Sequence, residues 1–450
     1  MNKPDMLTMI PTIPFEGDVS RFFYMYGWVV PFEFSGWRDE TMSWKEGAYL
    51  GAVISTSPTF RIKGPDTIKF LSDHFVNGFK NFPVGTSRHG IMCNEKGLDM
   101  MDGMILRTAE DEVYTYWLQP YIGYCFQKGK YNALGEDISG TVFLYQVAGP
   151  RSLEILEEAS GDDLHDIKFF HHRMSKIAGH DVRILRVGMA GTLAYEVHGS
   201  IDDSHEVYKA IFGAGKDYGM RKLGQVAYMM NHTEDGFPQA NYHFGFPWYE
   251  DHDFAEYLNQ RPFAGFFNYD PILVGSMGTD IKLRYRNPVE LGWANRIKFD
   301  HDFVGRAAFE KIMANPKRQM VTLEWNAEDI GDVFASQFRD DVPYQHMDRP
   351  NDMYYEVSPR WFYHADQVLK DGKLVGISSG RSISQFYHRM ISLSSIDVEY
   401  AALGTDVIVL WGNPGTRQKE IRAKVARYPY LTEERNDVVD VSKIPRAAKK

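Results

Sequence analysis

Two stretches of the chain share one order of apolar and polar positions. Phe60-Arg61-Ile62-Lys63-Gly64-Pro65 alternates, turns at Gly-Pro and runs into Ile68, Phe70 and Leu71. Tyr145-Gln146-Val147-Ala148-Gly149-Pro150 does the same ahead of Leu153, Ile155 and Leu156. Alternation puts successive side chains on opposite faces of a strand, and the spacing after each proline suits a helix. Proline is expected at the first helical position, where its missing N–H is not needed. The matching register predicts a duplicated strand-turn-helix unit.

A hairpin follows. Val182 to Arg186 alternates, Gly188-Met189-Ala190-Gly191 turns, and Leu193, Tyr195 and Val197 alternate back, leaving Ala194, Glu196 and His198 on the other face. A helix is expected from about Asp203 to Tyr218, and few strands for some distance after Pro271. Beyond Met320 short strands dominate: Val321 to Trp325, Leu374 to Ser378, Met390 to Ile396, Val407 to Trp411 and Ile421 to Ala426. This predicts a small antiparallel barrel or sandwich. Ala314-Asn315-Pro316-Lys317 interrupts the pattern and sets the expected boundary, residues 1–315 before it and 316–450 after. The first part mixes helices and strands without regular βαβ alternation, so the class expected is α+β.

Composition narrows the partners. The 450 residues are 44% hydrophobic, 24% charged and 14% aromatic, the balance of a globular protein rich in flat rings. Fifty basic against sixty acidic side chains give a net charge of −10, and only the segment Lys443 to Lys450 is locally basic. Nucleic acid is therefore not an expected partner. No apolar run is long enough for a membrane span, and Met1-Asn2-Lys3-Pro4-Asp5 has no apolar signal core. Two cysteines, Cys93 and Cys125, cannot make a disulfide or zinc scaffold, which points to a cytoplasmic setting and makes the sequon Asn231-His232-Thr233 incidental.

No dinucleotide glycine motif, P-loop or nucleophile elbow occurs. The adjacent His171-His172 suits a surface better than a metal. His243 and His252 with Glu250, Asp251 and Asp253 lack the helical His spacing of a metal site, so no metal is expected. The stretch Phe237 to Tyr269 carries twelve aromatic residues broken by Pro238, Pro247 and Pro262. It has no helical period and reads either as a lid over a flat apolar ligand or as an ordinary packed loop.

Several of these segments, taken in order, resemble the aminomethyltransferase family, the T-protein of glycine cleavage and its relatives. They are Phe60 to Leu71, Gly97-Leu98-Asp99-Met100-Met101-Asp102-Gly103, Gln146-Val147-Ala148-Gly149-Pro150, Leu193-Ala194-Tyr195-Glu196-Val197, Pro288-Val289-Glu290-Leu291-Gly292 and Gly404-Thr405-Asp406-Val407. Ser35-Gly36-Trp37-Arg38, Lys168-Phe169-Phe170 and Val409-Leu410-Trp411-Gly412 are most similar to the tetrahydrofolate-dependent O-demethylases of vanillate and syringate. The resemblance implies a folate-binding domain followed by a C-terminal barrel. It implies transfer of a methyl group from a methoxylated aromatic to tetrahydrofolate, giving a phenol. Another folate-dependent methyl- or aminomethyltransferase, such as a sulfonium demethylase or a T-protein, and a folate-binding accessory protein are the alternatives.

The resemblance also assigns residues. Tyr228 matches the catalytic tyrosine, and Gln146, Glu196 and Phe237 match positions that hold the pterin, with Phe237 where Trp is usual. Asp102 matches an acid that is catalytic in aminomethyltransferases; here orienting groups and capping the Gly103 turn both stay open. Leu118 stands where the vanillate-type enzymes carry a carboxylate-binding Arg, and Thr56 where they carry a substrate-contacting His. Leu118 cannot pair with a carboxylate, so the substrate is expected to be neutral, or its carboxylate to be held elsewhere with His243 as the partner.

Overall fold

The computed structural model describes residues 8–25, 28–55, 57–260, 271–353 and 362–447. The two repeated stretches form strand Thr59–Lys63 with helix Thr67–His74, and strand Val142–Ala148 with helix Ser152–Ser160. Pro65 and Pro150 precede the N-cap residues Asp66 and Arg151 rather than opening the helices. The turns match in detail. Gly64 and Gly149 have φ of 145° and 135°, and a Cβ would come within 2.6 Å of the Ala133 Cα at the first and 2.4 Å of the Gly47 carbonyl oxygen at the second. Only glycine fits where the backbone takes that angle with another strand behind it.

Each unit seeds its own sheet. Strand Thr59–Lys63 sits in a five-stranded antiparallel sheet with Ser87–Cys93, Asp99–Ala109, Glu112–Tyr116 and Leu134–Asp137. Strand Val142–Ala148 sits in a six-stranded sheet between Ala194–Ser200 and Ala48–Gly51, with His172–Ile177, His180–Leu185 and Met220–Leu223 completing it. Helix Ser204–Gly215 packs on the latter, as its Val207 and Ile211 spacing predicts. The α+β class is thus observed. His171 is exposed but His172 is buried, because neighbours on a strand face opposite ways.

Six strands, Arg318–Trp325, Phe362–Lys370, Lys373–Ser384, Arg389–Asp397, Asp406–Trp411 and Lys419–Ala426, close into an antiparallel barrel. Closure removes the sheet edges. The pattern missed two elements here. Phe362–Lys370 breaks alternation with His364 and Asp366, whose side chains bond each other at 2.8 Å inside the barrel. Helix Ala327–Ser336 starts at Asn326, whose side chain accepts from the backbone of Glu328 and Asp329. Residues after Ala426 leave the barrel and return to the first unit. Leu431 N–H bonds the Glu234 carbonyl at 2.8 Å, Arg435 pairs with Asp235 at 2.7 Å, and Arg186 donates to Asn436.

The aromatic stretch is packed rather than free. Tyr242, Phe244, Phe246 and Trp248 are buried, and His252–Asn259 is a helix capped by Asp251, against the expectation of none. Phe263, Phe266, Phe267 and Tyr269 lie outside the described residues. Among the described residues no helix is long and apolar enough to cross a membrane.

Candidate functional site

One cavity lies between the two sheets, walled by helix Gln225–Asp235 and by the aromatic stretch. Each wall brings particular side chains. Strand pairing sets Gln146 directly opposite Glu196, so both project on one face. His198, two residues on, shares that face, and its Nε2 lies 3.0 Å from Glu196 Oε2. Glu196 is thereby tied at one oxygen, with no hydrogen bond to its other oxygen among the described residues.

Helix Gln225–Asp235 is buried on every side. Gln225, Tyr228 and Met229, at i, i+3 and i+4, form its cavity face. Its other faces are fixed: Gly224 N–H bonds Glu40, Asn231 bonds the Tyr49 hydroxyl, and Glu234 accepts from Trp44 and Ser384 and forms an ion pair with Lys45. Asn231 is fully buried, so the sequon is not a surface site. The Tyr228 hydroxyl makes no hydrogen bond among the described residues. Burial, then the charges of Glu196 and Asp102, push its phenol above the ordinary range, which keeps it a proton donor.

Gly236, with φ of 74°, ends the helix and turns the chain so that Phe237 faces the cavity. His232 Nδ1 bonds the Phe237 carbonyl at 3.0 Å and helps hold that turn. The Phe237 ring packs on Trp293 at 5.4 Å and on His89 at 5.0 Å. Phe246 and Trp248 stack at 5.1 Å to make an apolar wall, and the Trp248 indole N–H bonds the Met100 carbonyl at 2.6 Å. Asp102 lines the opposite side, with Oδ2 3.0 Å from His89 Nε2.

The chemistry of the lining fits a polar flat ring beside an apolar one. Three atoms of lining residues, Gln146 Oε1, Gln225 Oε1 and His89 Nδ1, are buried without hydrogen-bond partners among the described residues. Buried polar atoms are nearly always satisfied, so three around one cavity point to a ligand with polar groups. A pterin presents an amine and a ring N–H that a carboxylate such as Glu196 accepts together. Tetrahydrofolate therefore suits Gln146, Glu196 and Phe237, and the apolar wall of Phe246 and Trp248 suits a second, aromatic ligand.

Among the described residues the lining carries no Lys or Arg. Leu118, at the position of a carboxylate-binding Arg in the vanillate-type enzymes, and His243, expected as the alternative carboxylate partner, both lie away from the lining. Leu118 is buried in the core beneath Gly103 and does not line the cavity. His243 is a correction: it ties the loop to the barrel. Its Nδ1 accepts from the Gln239 N–H at 2.9 Å, its Nε2 meets the Thr233 hydroxyl at 3.1 Å, and that hydroxyl bonds the Gly380 carbonyl at 2.8 Å. Both ring nitrogens are occupied, and burial holds the ring neutral, well below the ordinary histidine range. Thr56 lies outside the described residues. Sequence reasoning missed His89, His198 and Gln225. Only His198 had a signal, the alternate spacing with Glu196.

Among the described residues, one trio, Glu157, Asp163 and His165, brings three possible metal ligands together. Both nitrogens of His165 already have partners, Glu157 and the Ile444 carbonyl.

Comparison with known proteins adds to this geometry. Residues 16–243 match the model of the GCVT N-terminal domain. Sesamin methylene transferase of Sinomonas sp. (strain No.22) is 47% identical over 425 residues, covering 93% of this chain and 94% of that protein. Syringate O-demethylase of Sphingobium sp. (strain NBRC 103272 / SYK-6) is 32% identical over 440 residues, covering 91% and 92%. The glycine cleavage system aminomethyltransferase T from Bartonella henselae superposes with a TM-score of 0.68 at 16% identity, covering 93% of this chain and 96% of that one, which establishes the shared fold.

Proposed function

The chain belongs to the GCVT family and is a tetrahydrofolate-dependent enzyme; from this premise we propose that it removes a one-carbon unit from the ether oxygen of a neutral aromatic compound. Tetrahydrofolate supplies the amine that accepts the carbon. An aryl ether is inert because phenolate leaves poorly, so the enzyme must align the reactants and stabilise the departing oxygen. Gln146 and Glu196 hold the pterin. Phe237 packs against the pterin, while Phe246 and Trp248 exclude water and orient the arene. Tyr228 gives a hydrogen bond, then its proton, to the leaving oxygen. The observation that carries this reading is the buried Tyr228 hydroxyl, without a hydrogen-bond partner among the described residues and pushed by burial toward its protonated form, in a cavity with an apolar aromatic wall.

In the methyl form of the reaction a methoxyarene gives a phenol and 5-methyltetrahydrofolate. A second form, transfer of a methylene unit held between two ring oxygens, is supported by the 47% identity to a protein named as a methylene transferase. The test is to incubate the enzyme with neutral methoxy- and methylenedioxyarenes, with and without tetrahydrofolate. Folate-dependent release of a phenol or catechol is the expected result. Bound folate with no release from any of them would overturn the reading.

A further inference from the structure

We propose that Gln225 is a further catalytic residue: its side-chain carbonyl accepts the hydrogen of the folate N5 amine and turns the nitrogen lone pair toward the carbon to be transferred. The inference rests on the aryl-ether reading above. Gln225 opens helix Gln225–Asp235 and is 3% exposed, yet its Oε1 is buried without a hydrogen-bond partner among the described residues, and its Nε2 makes no hydrogen bond there either. Burying a polar group unpaired costs about 1–3 kcal/mol, so packing alone does not account for a glutamine here. Its position is set by its neighbours. Gly224 N–H bonds Glu40 at 2.7 Å, Tyr228 N–H bonds the Gly224 carbonyl at 3.0 Å, and the Asn351 amide bonds the Val226 carbonyl at 3.2 Å. A Cβ at Gly224 would come within 2.4 Å of the Phe32 carbonyl oxygen, so the chain enters the helix tight against strand Trp28–Glu33.

The spacing matches the reaction. Gln225 and Tyr228 both line the cavity, three residues apart on one helical face, which puts their Cβ atoms about 5–6 Å apart. In a reactant complex aligned for transfer, the leaving oxygen and the attacking nitrogen flank one carbon and lie about 4–5 Å apart. With Tyr228 on the oxygen, an acceptor one turn earlier is in reach of the amine. Gln146 and Glu196, paired on adjacent strands, take the N2 and N3 edge of the pterin, and N5 lies on its far ring. A secondary amine has one hydrogen and one lone pair. A neutral acceptor that takes the hydrogen leaves the lone pair free for carbon, and an amide oxygen does this without binding a proton itself. In each methyl transfer one C–O bond breaks and one N–C bond forms. Tyr228 gives its proton to the departing oxygen, and the N5 proton, released once the carbon has moved, restores Tyr228.

The test compares tetrahydrofolate with 5-methyltetrahydrofolate, which lacks the N5 hydrogen. By calorimetry the wild type should bind tetrahydrofolate about 3- to 10-fold tighter, the worth of one neutral hydrogen bond. Gln225→Met keeps the length of the side chain and loses the acceptor, so it should bind the two folates within about twofold of each other. Gln225→Glu keeps an acceptor and should restore the preference. With a neutral methoxyarene, Gln225→Met should lower kcat about 10- to 100-fold while the KM of the arene changes by less than about threefold. Equal binding of the two folates by the wild type overturns this inference. So does a preference that survives in Gln225→Met, which would belong to the bulk of the added methyl group, and so does near-normal kcat in that variant; all three leave the aryl-ether reading standing. A wild type that binds folate and releases no phenol overturns that reading and this inference with it.

Discussion

Gln146 and Glu196 stand directly opposite each other on adjacent antiparallel strands, and behind the carboxylate His198 holds one oxygen at 3.0 Å. The amide and the carboxylate therefore reach the cavity as one preorganised edge. Glu196→Gln keeps the shape and removes the charge. Charge-assisted hydrogen bonds are worth about 1.5–3 kcal/mol, so folate affinity should fall by roughly 10- to 100-fold. The fold should persist, because the His198 N–H still finds an oxygen. Calorimetry with tetrahydrofolate, beside a melting curve, checks both halves.

Tyr228→Phe deletes a hydroxyl that no described residue uses. Stability should change by less than about 1 kcal/mol and folate binding little. Turnover should drop about 100- to 10,000-fold if the hydroxyl answers the leaving oxygen. Near-normal turnover in this variant would return Tyr228 to a wall residue.

With two acids and no cation among the described lining residues, a benzoate would bury an unpaired negative charge. Neutral methoxyarenes should exceed vanillate and syringate in kcat/KM by at least about tenfold. Side-by-side kinetics decide this, and vanillate turned over best would require a cation that the described lining does not contain.

His243→Ala should leave the order of substrates intact, since the ring lies outside the cavity. It should cost about 1–3 kcal/mol of stability by stranding the Gln239 N–H and removing the ring nitrogen that meets the Thr233 hydroxyl. Urea unfolding measures the loss, and a change in substrate order would restore His243 as a substrate contact.

His232 gives a pH signature. Burial pushes its ring down to about 4 from an ordinary 6.5. The folded state binds fewer protons than the unfolded state between those values, so its contribution is full above pH 6.5 and fades as pH falls toward 4. At about one pKa unit per 1.36 kcal/mol, the stability gap between wild type and His232→Gln should shrink by about 2 kcal/mol from pH 7 to pH 5. The comparison with the variant cancels other titrating groups. A gap independent of pH would show the ring to be open to protons.

Local pattern was enough for the repeated strand-turn-helix units, for the hairpin that carries Glu196 and for most barrel strands. In each, period and turn chemistry act over neighbouring residues. The resemblance placed Gln146, Glu196, Phe237 and Tyr228 in one site, and the structure brings all four to one cavity. Tertiary structure alone decided the rest. His89 meets Asp102 through a strand register that no local spacing encodes. Leu118 and His243, plausible as substrate contacts in a one-dimensional alignment, turn inward because Gly103 and Gly380 leave room for them. The tail from Leu431 to Val439 crosses back to buttress the helix of Tyr228 and the hairpin of Glu196, about 200 to 250 positions away in sequence. Such contacts depend on where whole elements dock, and docking is set by burial summed over the entire chain, which a local reading of the sequence does not contain.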